Sequence, residues 1–409
     1  MEKMGRKWGQ RPIFSSKNRA LSPFSLPIFS KRRKKKGKTM NYSRARFDII
    51  LLLITITLVG IGILMIYSSS AIYHQKYAQD SYFMLKKQLL WICLGSVGML
   101  IAWKTDYRLL RKHKGVVIAV GLFLLILTII PGIGHKIGGA ARWLKVFGLT
   151  FQPSELIKLC LLLWIADFIV KKKAHLKSML KGFLPSLIFL LIIIAILLKQ
   201  PHFGMIILFF TVSMVILFTG GVNLKHMFTM LIVSIPMMIF LAIKEPYRVR
   251  RLSIFMDPWS DASNKGYHII QSLIALGSGG LFGVGLGESK QKLFYLPESS
   301  TDFIFAIIGE EGGFILAVAV IVLFLGFAYC GIKICMATED LFASLFAFGI
   351  TFIIVAQAFF NIGVVTGVLP TTGVPLPFIS FGGSALFFNM VSVGILLNIA
   401  KGSFIRRGT

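Results

Sequence analysis

The chain has 409 residues, of which 56% are hydrophobic and only 15% charged, whereas a soluble domain keeps about a quarter of its residues charged. The apolar residues come in long blocks, which excludes a water-soluble enzyme and, beyond the first forty or so residues, a disordered chain. The net charge of +29 is unevenly placed: residues 1–46 hold 15 Lys and Arg against one acid, Glu2.

That first segment reads as a basic, disordered cytoplasmic tail. Its run Lys31-Arg32-Arg33-Lys34-Lys35-Lys36 has the composition of a nucleic-acid patch. Just ahead of an apolar span, it reads instead as a positive-inside anchor facing anionic membrane lipid, with no nucleic-acid partner. Met40 offers an alternative start, and no small-residue cleavage pattern follows the first apolar block. The four cysteines, Cys93, Cys160, Cys330 and Cys335, lie in or beside apolar spans without metal or redox spacing and read as packing residues.

Crossing a bilayer takes about 20 mostly apolar residues. Ten such blocks follow, near 49–69, 86–103, 115–131, 154–170, 183–198, 204–220, 226–243, 312–333, 341–365 and 383–400. The fold class is therefore an all-α polytopic membrane protein of about ten transmembrane helices. Lys and Arg crowd 104–114, 171–182 and the tail 401–409, while 71–85 and 366–382 have few or none. The positive-inside rule then puts both termini in the cytoplasm. One domain spans 47–400. Its two long outer segments are a loop at 131–153 and a larger one, 244–302, between spans seven and eight.

The large loop carries Arg248, Arg250, Arg251, Lys265, Lys290 and Lys292 on the face where positive charge is usually scarce, which points to an anionic ligand there. The acids cluster on the same side: Glu155, Glu245, Asp257, Asp261, Glu288, Glu298, Asp302, Glu310 and Glu311. Asp302 closes the loop and is followed at once by Phe303-Ile304-Phe305-Ala306-Ile307-Ile308. A carboxylate at the mouth of an apolar helix is partly desolvated, and its pKa rises toward the range of a general base. The same position also suits a plain helix cap. Glu155 and Lys158, three apart, share a helical face and fit a structural ion pair. The glycine-dense run 277–287 either frees backbone N–H groups for a phosphate or permits a re-entrant buried backbone. Histidine spacing suggests no metal site.

Many of these residues also carry a resemblance. The stretch Pro246-Tyr247-Arg248-Val249-Arg250-Arg251, then Asp257-Pro258-Trp259, Gly266-Tyr267, Gln271-Ser272, Gly277-Ser278-Gly279-Gly280, Gly285-Leu286-Gly287, Gln291-Lys292-Leu293 and Tyr295-Leu296-Pro297-Glu298, ends in Thr301-Asp302-Phe303. With Arg142-Trp143, Gln152-Pro153-Ser154-Glu155, Gln200-Pro201, Asn361-Ile362-Gly363 and Pro377-Phe378-Ile379-Ser380, it resembles the SEDS (shape, elongation, division, sporulation) glycosyltransferases over nearly all of 44–405. The spelling around 285–298 is closer to division-type than to elongation-type members, with the sporulation type next to it. Three positions depart from the family pattern: His202 stands where an Asp is usual, Ser300 where a His is frequent, and Phe381 where a Tyr is usual.

The resemblance implies a SEDS-type bundle and a peptidoglycan polymerase acting on lipid II at the outer face of the bacterial cytoplasmic membrane. It further implies a class B penicillin-binding transpeptidase and divisome membrane proteins as partners, and work at the division septum. Asp302 would be the catalytic carboxylate. Arg142, Trp143, Arg248, Arg250, Arg251, Gln271, Ser272, Lys292, Glu298 and Ser380 would meet the substrate, with Mg or Mn as a further source of positive charge. A β-1,4 product from an α-pyrophosphate donor needs one inversion, hence one base rather than a carboxylate nucleophile. Two other classes of function fit ten spans: a lipid II flippase, which would place its critical charges at mid-membrane on discontinuous helices, and a scaffold, which has no use for a desolvated Asp302.

Overall fold

The computed structural model describes residues 47–77, 82–137, 140–146, 148–243, 246–262, 266–293 and 295–405. The basic segment 1–46, with its expected disorder and Met40, and the end of the tail, 406–409, lie outside the described residues.

In chain order the elements are α1 (Phe47–Tyr77), α2 (Phe83–Lys104), α3 (Tyr107–Lys112) and α4 (Lys114–Leu127), then β1 (Gly134–Ile137), β2 (Ala140–Val146) and β3 (Leu149–Phe151). There follow α5 (Pro153–Lys171), α6 (Leu184–Lys199), α7 (Phe203–Thr219), α8 (Leu224–Ile243), α9 (Pro246–Met256), α10 (Tyr267–Ser278), α11 (Ile304–Ala337), α12 (Leu341–Val365) and α13 (Gly383–Ile405). Ten of these helices, α1, α2, α4 to α8 and α11 to α13, coincide with the ten apolar blocks. Six described stretches are long and apolar enough to cross a bilayer: Phe47–Ser70, Phe83–Lys104, Met179–Lys199, Ile304–Ala337, Leu341–Val365 and Gly383–Gly402. The chain is a multi-pass membrane protein.

Helix α5 is long enough to span but carries Glu155, Lys158 and Asp167, and the fold accommodates them by burying the helix. Pro153 opens its first turn, where no N–H is needed, and α4, α6, α7, α12 and α13 all pack around it. Its charges are matched. Asp167 takes Arg111 at 2.8 Å, Lys171 at 3.2 Å and Lys114, tying the lysine-rich end of the bundle together. Nearby, Tyr107 donates to Asp340 at 3.2 Å.

Three features depart from the sequence expectation. The loop 131–153 contains a three-stranded antiparallel sheet in the order β1-β2-β3. These strands are too short and polar to stand out among apolar helices. The large loop 244–302 holds two helices, α9 and α10, before an irregular stretch, and α13 runs past the expected boundary at 400 to Ile405.

Helix α11 also begins earlier than its apolar block suggests, at Ile304, and is interrupted at Gly313, whose φ of 67° and ψ of −170° leave the helical region. The glycine-dense run fills this break. Val284 and Gly285 donate their N–H groups to the carbonyls of Glu310 and Glu311, while Phe314 and Ile315 donate to the carbonyls of Gly280 and Leu281. The run thus forms a mostly exposed loop whose backbone groups pair with those that the split leaves free in α11.

Candidate active site

At the end of the bundle opposite the Asp167 cluster, five segments converge around Asp302: the sheet, the link from α6 to α7, α9, the approach to α11, and the turn between α12 and α13. The backbone of Asp302 is held from two sides. Asn361 on α12 donates to its carbonyl at 2.8 Å and, with the same amide nitrogen, to Val374 O at 2.9 Å. Ser380 donates to Thr301 O at 2.6 Å while accepting from Leu376 N at 2.8 Å. The N–H of Phe381 adds a bond to Ser300 O at 2.9 Å. Ser380 therefore anchors the carboxylate's backbone.

Arg142 reaches the site because β2 bulges. His135 pairs with Trp143 and Lys136 with Ala141, so Arg142 is the extra residue of the longer strand, and such bulges redirect a side chain. Its Nε donates to Gln200 O at 3.2 Å and its Nη2 to Pro201 O at 2.6 Å. Gln200 in turn spends its amide on Thr128 and Leu125 at the end of α4. Arg251, on α9, is held by Thr371 O at 2.8 Å. A methyl group built on Gly373 would lie 3.7 Å from Asp302 Oδ2 and 3.9 Å from Arg142 Nη1, so acid and guanidinium face one another across this turn.

Burial pushes the Asp302 carboxyl up to about 6. The neighbouring Glu298 carboxylate adds to the rise, and Arg142 and Arg251 oppose it. A group poised there is ionised at neutral pH yet basic enough to take a proton. Glu298 itself is exposed, sits at φ 55°, and accepts from Thr301 Oγ1 at 2.7 Å. His268 on α10 stacks on Phe303 with ring centroids 5.9 Å apart. Burial holds it below the ordinary histidine range, against the pull of Glu298.

The other expected site residues fall in several places. Trp143 lies on β2 beside Arg142. Gln271 and Ser272 are on α10, where Ser272 is buried and donates to Val365 O at 2.7 Å. Arg248 and Arg250 belong to α9, and their side chains lie outside the described residues. Glu155 and Lys158 form a buried ion pair. Lys158 extends it to Gln357 at 2.9 Å, and Gln357 donates to Pro375 O at 2.9 Å, so this chain of polar groups supports the Gly373 turn from beneath.

Lys292 does not join the arginines. It is buried against Glu311 at 2.8 Å and Ser68 at 2.9 Å, and Ser68 also donates to Glu311 at 2.6 Å. Glu310 accepts from Ser289 and from the N–H groups of Lys290 and Gln291. Both glutamates lie just before the break in α11, and both are occupied in fastening the loop that precedes it.

Sequence reasoning gave no role to His202, and in the uncharged turn at 366–382 it named Ser380 but not Gly373, which lies against Asp302 and Arg142. The only trace of the first was its departure from the family pattern. Among the described residues, no three His, Cys, Asp or Glu side chains converge where a metal ion could be held.

A family model described as a cell cycle protein (FtsW/RodA/SpoVE) matches residues 49–404. A probable peptidoglycan glycosyltransferase FtsW of Geobacter sp. (strain M18) is 42% identical over 354 residues, covering 87% of this chain and 96% of that protein. Stage V sporulation protein E of Bacillus subtilis (strain 168) is 39% identical, covering 87% and 97%. Among solved structures, a chain of a peptidoglycan synthase complex that coordinates polymerization and crosslinking superposes with a TM-score of 0.71 at 25% identity, over 87% of this chain and 97% of its own. The rod shape determining protein RodA of Thermus thermophilus gives 0.62 at 24%, over 87% and 96%. With a half-buried carboxylate and an anchored arginine meeting at the Gly373 turn, and with these matches along its whole membrane domain, the chain belongs to the FtsW/RodA/SpoVE family.

Proposed function

We propose that the chain is a division-type peptidoglycan glycosyltransferase that polymerises lipid II into β-1,4-linked glycan at the outer face of the cytoplasmic membrane, with Asp302 as general base. The observation that carries this reading is the Asp302 carboxyl, lifted to about 6 and facing Arg142 across the Gly373 turn. FtsW relatives about 40% identical, named as glycosyltransferases, support the reaction class.

In the reaction, the acceptor sugar's 4-hydroxyl oxygen attacks the donor's anomeric carbon and its proton passes to Asp302. The new C1–O bond forms as the bond from C1 to the pyrophosphate oxygen breaks, and the lipid pyrophosphate leaves with the electron pair. Arg142 and Arg251 supply fixed positive charge for that leaving group, and their anchoring on backbone carbonyls means little reorganisation at the moment of transfer. The described residues offer no cluster of metal ligands, so no step is assigned to a cation. The likeness to a synthase complex that couples polymerization to crosslinking supports a class B penicillin-binding transpeptidase as partner. The division-type relatives support septal work alongside other divisome membrane proteins.

One observation bears on the flippase alternative. Helix α11 is discontinuous, as transporter helices often are. Its buried charges, however, are matched by Lys292, Ser68, Ser289 and backbone N–H groups, which suits a structural seam better than a transport path. Purified protein in proteoliposomes, with and without the cognate transpeptidase, is expected to turn lipid II into glycan ladders on a gel, and Asp302→Ala to abolish them. Lipid II crossing the bilayer with no polymer under any condition would refute the enzyme reading.

A further inference from the structure

We propose that the cytoplasmic end of the bundle binds an anionic phospholipid of the inner leaflet, its phosphate among Lys104, Arg108 and Lys401 and an acyl chain along the lipid-facing side of α2.

The site is a cavity of about 280 Å³ at the end of the bundle that carries Asp167, away from Asp302. It forms where four segments end or turn: the last residue of α2, the start of α3, the link from α11 to α12, and the last turns of α13. Hydrogen bonds fix its floor. Tyr107 N–H donates to Asn398 Oδ1 at 3.1 Å, Asn398 Nδ2 donates to Trp103 O at 2.7 Å, and the Tyr107 hydroxyl donates to Asp340 Oδ2 at 3.2 Å. Tyr107 and Ile399 are buried. The cavity is therefore shaped by side chains already locked in place, which keeps the ordering cost of binding low.

Its depth in the membrane follows from the two spans beside it. Helices α2 and α13 run side by side in the same direction, with Gly95 against Met390 and Gly394 against Met99. Their apolar stretches end at Lys104 and Gly402, and both residues line the cavity. The mouth thus lies where hydrocarbon gives way to headgroups. Exposed Trp103 takes the interfacial place usual for tryptophan, with Lys401 Nζ 6.0 Å from the centre of its ring. Toward mid-membrane, Val97, Leu100 and Ile101 are exposed on α2. Their spacing puts them on one helical face with Lys104, an apolar strip that leads an acyl chain to the cation.

The charges decide the headgroup. Among the described residues, no ion pair engages Lys104, Arg108 or Lys401. Two of the cavity's acids are committed as helix caps. Asp106 accepts from Arg108 N at 2.9 Å, and Asp340 accepts from Phe342 N at 3.0 Å as well as from Tyr107. That leaves three cations to one uncommitted acid, exposed Glu339. A phosphate without an ammonium group of its own meets this surplus, and Glu339 can accept from a headgroup hydroxyl, as in phosphatidylglycerol.

The test counts bound lipid. Full-length protein, stripped of lipid in detergent, is titrated with palmitoyl-oleoyl phosphatidylglycerol, phosphatidylethanolamine or phosphatidylcholine and read by native mass spectrometry. The first phosphatidylglycerol is expected to bind roughly tenfold more tightly than either zwitterionic lipid; equal or weaker binding would overturn the anionic assignment. Lys104→Gln/Arg108→Gln/Lys401→Gln is expected to weaken that first binding roughly tenfold or more. Lys172→Gln/Lys173→Gln/Lys177→Gln, which removes as many exposed lysines from the same end, should leave it in place. Equal losses in the two triple variants would mean diffuse surface attraction and would overturn the site. Gly402→Phe keeps every charge and fills the cavity, and a methyl group there meets Tyr107 Cε1 at an unstrained 3.9 Å. It should weaken the first binding as well, and wild-type binding by this variant would overturn the cavity's role. Displacement of the lipid by millimolar glycerol phosphate would overturn the lipid assignment in favour of a soluble phosphate ester.

Discussion

Replacing Asp302 by Asn is expected to stabilise the folded protein while it removes activity. In the fold the carboxyl sits at about 6, against an ordinary value of 3.8, a gap of about 2 units at roughly 1.4 kcal/mol each. The folded state thus binds this proton more tightly than the unfolded chain does, and ionising the group costs stability. Below pH 3.8 both states are protonated and the cost is absent. It grows as pH rises from there to about 6 and is complete above. At pH 8 the wild type carries a penalty of up to about 3 kcal/mol, which the neutral, isosteric Asn escapes. Unfolding of both proteins by SDS titration in one detergent, at pH 8 and again near pH 4, measures the difference. The two curves should separate at pH 8 and close toward pH 4. A less stable Asn variant at pH 8, or a gap independent of pH, would mean that Arg142 and Arg251 outweigh burial, and the base assignment would lose its physical footing.

Lys292→Met leaves Glu311 buried without its cation and is expected to cost about 3–5 kcal/mol, with most of it recovered in Lys292→Met/Glu311→Gln; a double variant as unstable as the sum of the singles would refute the pairing. Gly313→Ala puts a methyl group 2.3 Å from Gly283 N at a φ of 67°. A loss of about 3 kcal/mol or more should appear as poor recovery of folded protein from membranes, and normal yield with unchanged melting would count against the stitched break. Asn361→Ala removes the bonds to Asp302 O and Val374 O and is expected to cost about 2 kcal/mol and to lower kcat more than it raises KM. Single-turnover polymerisation at a wild-type rate would show that Asp302 holds its position without them.

The ten helices were legible because crossing a bilayer imposes a length and an apolarity that few other constraints imitate. Asp302 was legible for a similar reason, as an acid set at the edge of an apolar run. What hydropathy does not encode is which loops meet. Lys292 reads as a free cation in a basic loop, yet Glu311 and Ser68 from two other helices claim it. Arg142 was visible as a motif residue, but the bulge that turns it toward Gln200 and Pro201 depends on a strand register with no apolar pattern behind it. The turn at Gly373 is uncharged and irregular, so nothing in its composition announces that it separates an acid from an arginine.

The seam in α11 also has a consequence for how this stretch of sequence can drift. A side chain on Gly283 would meet the carbonyl oxygen of Glu311 at 2.1 Å, and one on Gly313 would meet Gly283 N at 2.3 Å. Each glycine is held by the other's backbone, not by a side chain that a second substitution could trim. Suppressor screens starting from a change at either position should therefore return reversion to glycine and no compensating residue across the seam, whereas the Lys292–Glu311 pair a few residues away admits joint replacement. Two neighbouring parts of one joint would then evolve by different rules, one fixed by main-chain contact and the other free to change in step.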